Sequence, residues 1–123
     1  MKVSEAESAV MQVLWARSPQ SSEDVVAALG DARDWQEATI KTLLNRLLKK
    51  GAVTAARDGR RYLYSPRLTR EAWLAQQSES LVDRLFGGRV APLVAHFSER
   101  GRLSQADIEE LRRLLGEIDD ERR

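Results

Sequence analysis

Between Gln36 and Lys50, the residues Ile40, Leu43, Leu44, Leu47 and Leu48 recur at i, i+3, i+4, i+7 and i+8, one continuous apolar stripe along a helix. Helices of this length gain most of their stability from packing such a face, so the rest of the fold must supply a partner for it. At about 100° per residue the opposite side displays Ala38, Thr42, Asn45, Arg46 and Lys49, with Thr39 and Lys41 on its flanks. Gly51 is the expected left-handed stop, and Lys49 and Lys50 lie at the negative end of the helix dipole. The period then changes. Ala52–Ala56 and Arg61–Tyr64 are short runs bracketing Arg57-Asp58-Gly59-Arg60. Asp58-Gly59 between them predicts a tight hairpin with positive φ at both central residues, and Pro66 ends the second strand.

The segments before this pair supply its packing partners. Ser4-Glu5-Ala6-Glu7 is a capping box, and Ala6, Val10, Val13 and Leu14 predict a helix from about Ser4 to Arg17. Ser18-Pro19-Gln20 breaks it. Ser21-Ser22-Glu23-Asp24 opens a short second helix with Val25, Val26 and Leu29 on its apolar side and Gly30 closing it. A polar loop follows, ending in Trp35, which staples the next helix. Helix, helix, helix and hairpin in this order outline a winged helix-turn-helix.

The remainder reads as helical. Thr69 caps a helix of about Arg70 to Phe86, Gly87-Gly88 stops it, Pro92 lies in the first turn of a short helix, and Ser104 opens a last one. The tail from Asp119 to Arg123 is expected to fray. The predicted class is therefore mainly α with a small β-hairpin: a winged-helix domain over 1–68 and a helical dimerisation domain over 69–123. The C-terminal stripes are narrow, and a unit that small rarely buries enough surface alone. Leu74, Leu81, Leu85, Val94, Phe97, Leu111 and Leu115 thus read as halves of a core completed by a second copy. The alternative is that they fold back on the winged helix.

Composition narrows the function. No Cys removes disulfides and thiolate chemistry, and a single His rules out a His-rich zinc site in one chain, so no metal or cofactor is expected. No window approaches the ~18 apolar residues of a membrane helix. Acidic residues also occupy the place where a signal peptide needs its apolar stretch, which predicts a cytoplasmic protein without membrane insertion. The formal charge of +1 conceals a strong asymmetry. Residues 38–70 hold nine basic residues against Asp58 alone, a net of +8, between flanking blocks of −4 and −3. A block of that sign is an electrostatic footprint for a polyanion.

The helix over 36–50 carries side chains suited to duplex DNA. Arg46 can fork onto guanine or a phosphate and Asn45 can pair an adenine edge. Thr39 and Thr42 offer hydroxyls and methyls, and Lys41 and Lys49 suit phosphates. Around the hairpin tip, Arg57, Arg60 and Arg61 with Tyr62 suit a wing that lies along the backbone or enters the minor groove. Tyr62 and Tyr64 share a strand face, so at least one is expected to pack on the helices. Two rival classes remain: a winged helix that binds only protein, and an enzyme. His96 beside an apolar helical face is more often packed than a base, and no nucleophile elbow or phosphate-cradling glycine loop appears.

Several strings together resemble a known family. They are Ser4-Glu5-Ala6-Glu7 with Val10-Met11 and Val13-Leu14-Trp15, then Trp35, and Thr39 through Leu47. Lys49-Lys50-Gly51 and Gly59-Arg60 with Tyr62, Tyr64 and Pro66 complete the set. Together they are similar to the penicillinase-repressor family, the BlaI/MecI/CopY transcription repressors, over roughly residues 3–118. The resemblance implies a winged-helix domain, a C-terminal dimerisation domain and repression by binding a palindromic operator in double-stranded DNA. In several members a membrane sensor protease inactivates the repressor by cutting it. The copper-responsive branch carries paired Cys motifs that are absent here, which leaves the BlaI/MecI branch. The β-lactam-responsive members are cut at an Asn-Phe bond, for which the equivalent here is His96-Phe97.

Overall fold

Ser4, Ser21 and Ser104 each begin a helix in the same way. The serine hydroxyl accepts the N–H of the residue three positions on, and the carboxylate of that residue (Glu7, Asp24, Asp107) accepts the serine N–H in return. In the computed structural model, which describes residues 1–122, these boxes open α1 (Glu5–Ala16), α2 (Ser22–Arg33) and α6 (Gln105–Glu121). The other helices are α3 (Glu37–Lys50), α4 (Arg70–Phe86) and α5 (Val90–Glu99). Gly51, at φ 78°, ends α3 as expected, and the Thr69 hydroxyl accepts the Ala72 N–H at the start of α4.

The strands are β1 (Gln20–Ser21), β2 (Val53–Asp58) and β3 (Arg61–Pro66), in the order β1-β3-β2 and antiparallel throughout. The chain divides into two compact units, Met1–Ala75 and Gln76–Arg123. In the first, the stripe of α3 is the centre of the core. Ile40, Leu44 and Leu47 are fully buried with Val10, Met11 and Leu14 of α1, Val25 of α2 and Ala52. Each large apolar side chain so placed contributes about 1.5–3 kcal/mol. Trp73, in the first turn of α4, packs against Trp15 at 5.3 Å between centroids with the rings tilted by 46°, and the Trp15 Nε1–H donates to the Leu68 carbonyl at 2.9 Å.

Four local expectations change. Gly30 does not close α2. The helix continues to Arg33 and ends on Asp34 at φ 55°, because Asp also tolerates the left-handed region and a glycine inside a helix costs only about 1 kcal/mol. The hairpin turn is Gly59-Arg60 rather than Asp58-Gly59, since Asp58 pairs with Arg61 in the ladder. Within the turn, positive φ occurs only at Gly59, at 65°, the pattern of a type II′ turn with glycine first. The sheet gains β1, which pairs Gln20 with Tyr64 and Ser21 with Leu63. Finally, α6 continues through Glu121 instead of fraying from Asp119; Arg123 lies outside the described residues.

Among the described residues of the second unit none is fully buried. Leu81, Leu85, Val90, Phe97, Leu114, Leu115 and Ile118 are exposed, Leu85 and Leu115 by more than 60%. Val94 and Leu111 are half-buried. Leu74 falls within the first unit and is exposed.

Candidate nucleic-acid interface

Burying the stripe of α3 turns its other side outward, so Thr39, Lys41, Thr42, Asn45, Arg46 and Lys49 are all exposed. Their side chains are not equally free. The Thr42 hydroxyl donates to the Ala38 carbonyl at 2.9 Å, which leaves its methyl and oxygen lone pairs for a ligand. Lys41 Nζ lies 3.0 Å from Glu37 Oε1, and this bond holds its pKa above the ordinary lysine value. Among the described residues, Arg46 and Lys49 pair with no carboxylate.

The type II′ turn presents the wing. Arg57 Nε donates to the Gly59 carbonyl at 3.1 Å, and Arg61 lies 3.2 Å from Asp58 across the turn. Arg60, at the tip, pairs with no carboxylate among the described residues. Tyr62 is 51% exposed, whereas Tyr64 packs against the core, which divides the two tyrosines between surface and packing.

A groove of about 250 Å³ joins helix and wing. Of the residues expected from sequence it brings together Lys41, Asn45, Arg60, Arg61 and Tyr62, and it adds Ser22, Glu23 and Tyr64. Thr39, Thr42, Arg46, Lys49 and Arg57 are not part of its lining. Ser22 and Glu23 were missed because only the pairing of β1 with β3 sets the start of α2 beside the wing, and a two-residue strand leaves no periodic signal. The Glu23 carboxyl sits below the ordinary glutamate value, held there first by its own backbone N–H. Asp24 is lowered likewise, chiefly by the Ser21 N–H.

In the second unit His96 is exposed on α5, with its ring centroid 6.2 Å from Phe86 and 5.6 Å from Phe97. The His96–Phe97 bond is within the helix. Among the described residues, no cluster of His, Cys, Asp or Glu could hold a metal ion. No described helix is long and apolar enough to cross a membrane.

Comparison with known proteins gives concordant matches. The family model described as Penicillinase repressor matches residues 3–117. The Penicillinase repressor of Bacillus licheniformis is 34% identical over 116 residues, covering 94% of this chain and 91% of that protein. The Methicillin resistance regulatory protein MecI of Mammaliicoccus sciuri is 32% identical, with 93% of each chain covered. Among solved structures, the monomeric form of Bacillus licheniformis BlaI in complex with the blaP half-operator is 35% identical. It superposes with a TM-score of 0.52 over 58% of this chain and 88% of that one.

Proposed function

The chain belongs to the penicillinase repressor family, a family of transcriptional repressors and not enzymes, and from that premise we propose that it is a cytoplasmic homodimer repressing transcription at a palindromic operator. Residues 1–68 bind double-stranded DNA in this reading, and residues 69–123 join two copies. The observation that carries it is the groove in which Lys41 and Asn45 of α3 face Arg60, Arg61 and Tyr62 of the wing. One element offers groups that read base edges while the other offers cations for the backbone. The solved BlaI relative was captured on a half-operator, which supports a mode in which each protomer takes one half-site.

Each site residue has a role here. Arg46 and Asn45 read base edges from α3, while Thr39 and Thr42 add methyl and hydroxyl contacts. Lys41, Lys49, Arg57, Arg60 and Arg61 neutralise phosphates, and Tyr62 packs on the sugar-phosphate chain. The exposed apolar residues of the second unit, with Leu74, supply the dimer interface, and a two-fold pair sets two α3 helices on an inverted repeat. A membrane sensor protease would release the repressor by cutting His96-Phe97. Fluorescence anisotropy with duplex DNA at two salt concentrations tests the reading: salt-steep binding supports it, and a flat response or none overturns it.

A further inference from the structure

Glu23 is the sole acid lining a groove that otherwise carries Lys41, Arg60 and Arg61 with the neutral Asn45 and Tyr62. It is exposed at the second position of α2, and the Ser22 hydroxyl lies 3.4 Å from its Oε2. It lines the same groove as Lys41, whose ammonium is already bonded to Glu37, so the α3 side of the groove is less cationic than its sequence suggests. For a surface that binds a polyanion, an acid in that place is a cost.

We propose that Glu23 is a specificity-determining residue, which disfavours duplex DNA in general and is tolerated only where the docked sequence offers its carboxylate a base amino donor. This rests on the DNA-binding reading above. A carboxylate among phosphate-binding cations meets one of two things in a docked duplex. Against a phosphate oxygen it is repelled, and the repulsion acts within the Debye length of about 8–10 Å. Against a base edge it can accept only from an amino group, cytosine N4 or adenine N6 in the major groove. The penalty therefore depends on sequence, in the way that like charges set against wrong partners give selectivity. Glu23 also complements the dipole of α2 as a first-turn acid. A dipole role alone changes stability and leaves the ratio between two DNA sequences untouched.

The test uses the full chain and two duplexes of equal length and composition, one recovered from a randomised pool by the wild-type protein and the other a scrambled version of it. Glu23→Gln is expected to bind the scrambled duplex about three- to tenfold more tightly, with the recovered duplex changed less than twofold, so that discrimination narrows. Glu23→Asp, which keeps the charge, is expected to retain most of the discrimination. Equal tightening on both duplexes overturns the proposal, because Glu23 is then only a general charge. No change on either overturns it as well, because the carboxylate then does not face DNA. A wild-type chain that enriches no sequence from the pool overturns the DNA-binding reading itself, an outcome distinct from the other two.

Discussion

Lys50 Nζ lies 2.5 Å from Glu7 Oε1 although the two residues are 43 positions apart, and it also donates to the Lys2 carbonyl at 2.9 Å. Glu7 is 2% exposed and its Oε1 accepts the Ser4 N–H as well, so one oxygen serves the cap of α1 and the end of α3. Its other oxygen is buried without a partner among the described residues. A lysine that would otherwise join the basic surface is thus committed to fixing the outward helix against α1. Burial pushes the Glu7 carboxyl up, but the bonds from Lys50 and Ser4 outweigh it and leave its pKa below the ordinary value.

Removing Lys50 should therefore leave the buried Glu7 carboxylate without its cation rather than simply delete a surface charge. Lys50→Met is expected to cost about 2–3 kcal/mol, below the range for fully buried pairs, because Lys50 is 36% exposed. Glu7→Gln keeps an acceptor for Ser4 and frees Lys50 to water, so about 1 kcal/mol is expected. The pH sign follows from the lowered carboxyl. Its stabilisation is complete above the ordinary glutamate value of about 4.3 and is lost as pH falls through the lower folded value. Urea unfolding at pH 7 and pH 3 checks this: the wild type should lose more stability on acidification than Glu7→Gln.

On DNA, α3 and the wing should separate by their effects. If each protomer engages about four or five phosphates, a dimer should show a log–log salt slope of roughly −7 to −9. Arg46→Ala should relax sequence preference, whereas Arg60→Ala, at a wing tip held by no carboxylate, should weaken all sequences evenly and flatten the slope. Titration of each variant with two sequences at two salt concentrations distinguishes these outcomes.

The elements legible in the sequence were those with a complete local signal. The stripe from Ile40 to Leu48 and the stop at Gly51 predicted α3, the capping box at Ser4 predicted the start of α1, and the serine-led segments at Ser21 and Ser104 predicted the starts of α2 and α6. What escaped depended on distant partners. Gln20-Ser21 is a strand only because β3 is beside it, and the buried Gln20 amide donates to carbonyls at the end of α1, including that of Val13 at 2.9 Å. Glu23 enters the groove through that pairing, and no spacing rule joins Glu7 to Lys50. The turn shifted by one residue because Asp58 is held in the ladder opposite Arg61.

Assembly can be tested by truncation, and Trp73 determines where to cut. A fragment of residues 1–75 keeps the packing of Trp73 against Trp15 and is expected to be folded and monomeric. It should bind a full operator poorly, because the avidity of two linked half-sites is lost. A fragment ending at Arg70 loses that contact and should melt at lower temperature, by less than deletion of a fully buried tryptophan would cause, because Trp73 is half-buried. Light scattering that finds the 1–75 fragment dimeric would place the interface in the first unit.

If the repressor is released from DNA by proteolysis, the cut should fall near His96-Phe97. A protease needs an extended backbone, so the segment must open locally before it is cut. The ten residues of α5 form a short helix, near the limit of what holds together without packing. None of them is fully buried. Glycines with positive φ flank the helix, Gly87 and Gly88 before it and Gly101 after it. The seventeen residues of α4 offer no comparable break. A cut between His96 and Phe97 would sever Ile108, Leu111, Leu115 and Ile118 from the chain that carries α3, weakening dimerisation and operator affinity while the winged helix stays folded. Mass spectrometry of the protein from induced cells should find a fragment ending at His96. An intact chain alongside full derepression rules the cut out and points to a ligand or to titration by competing DNA.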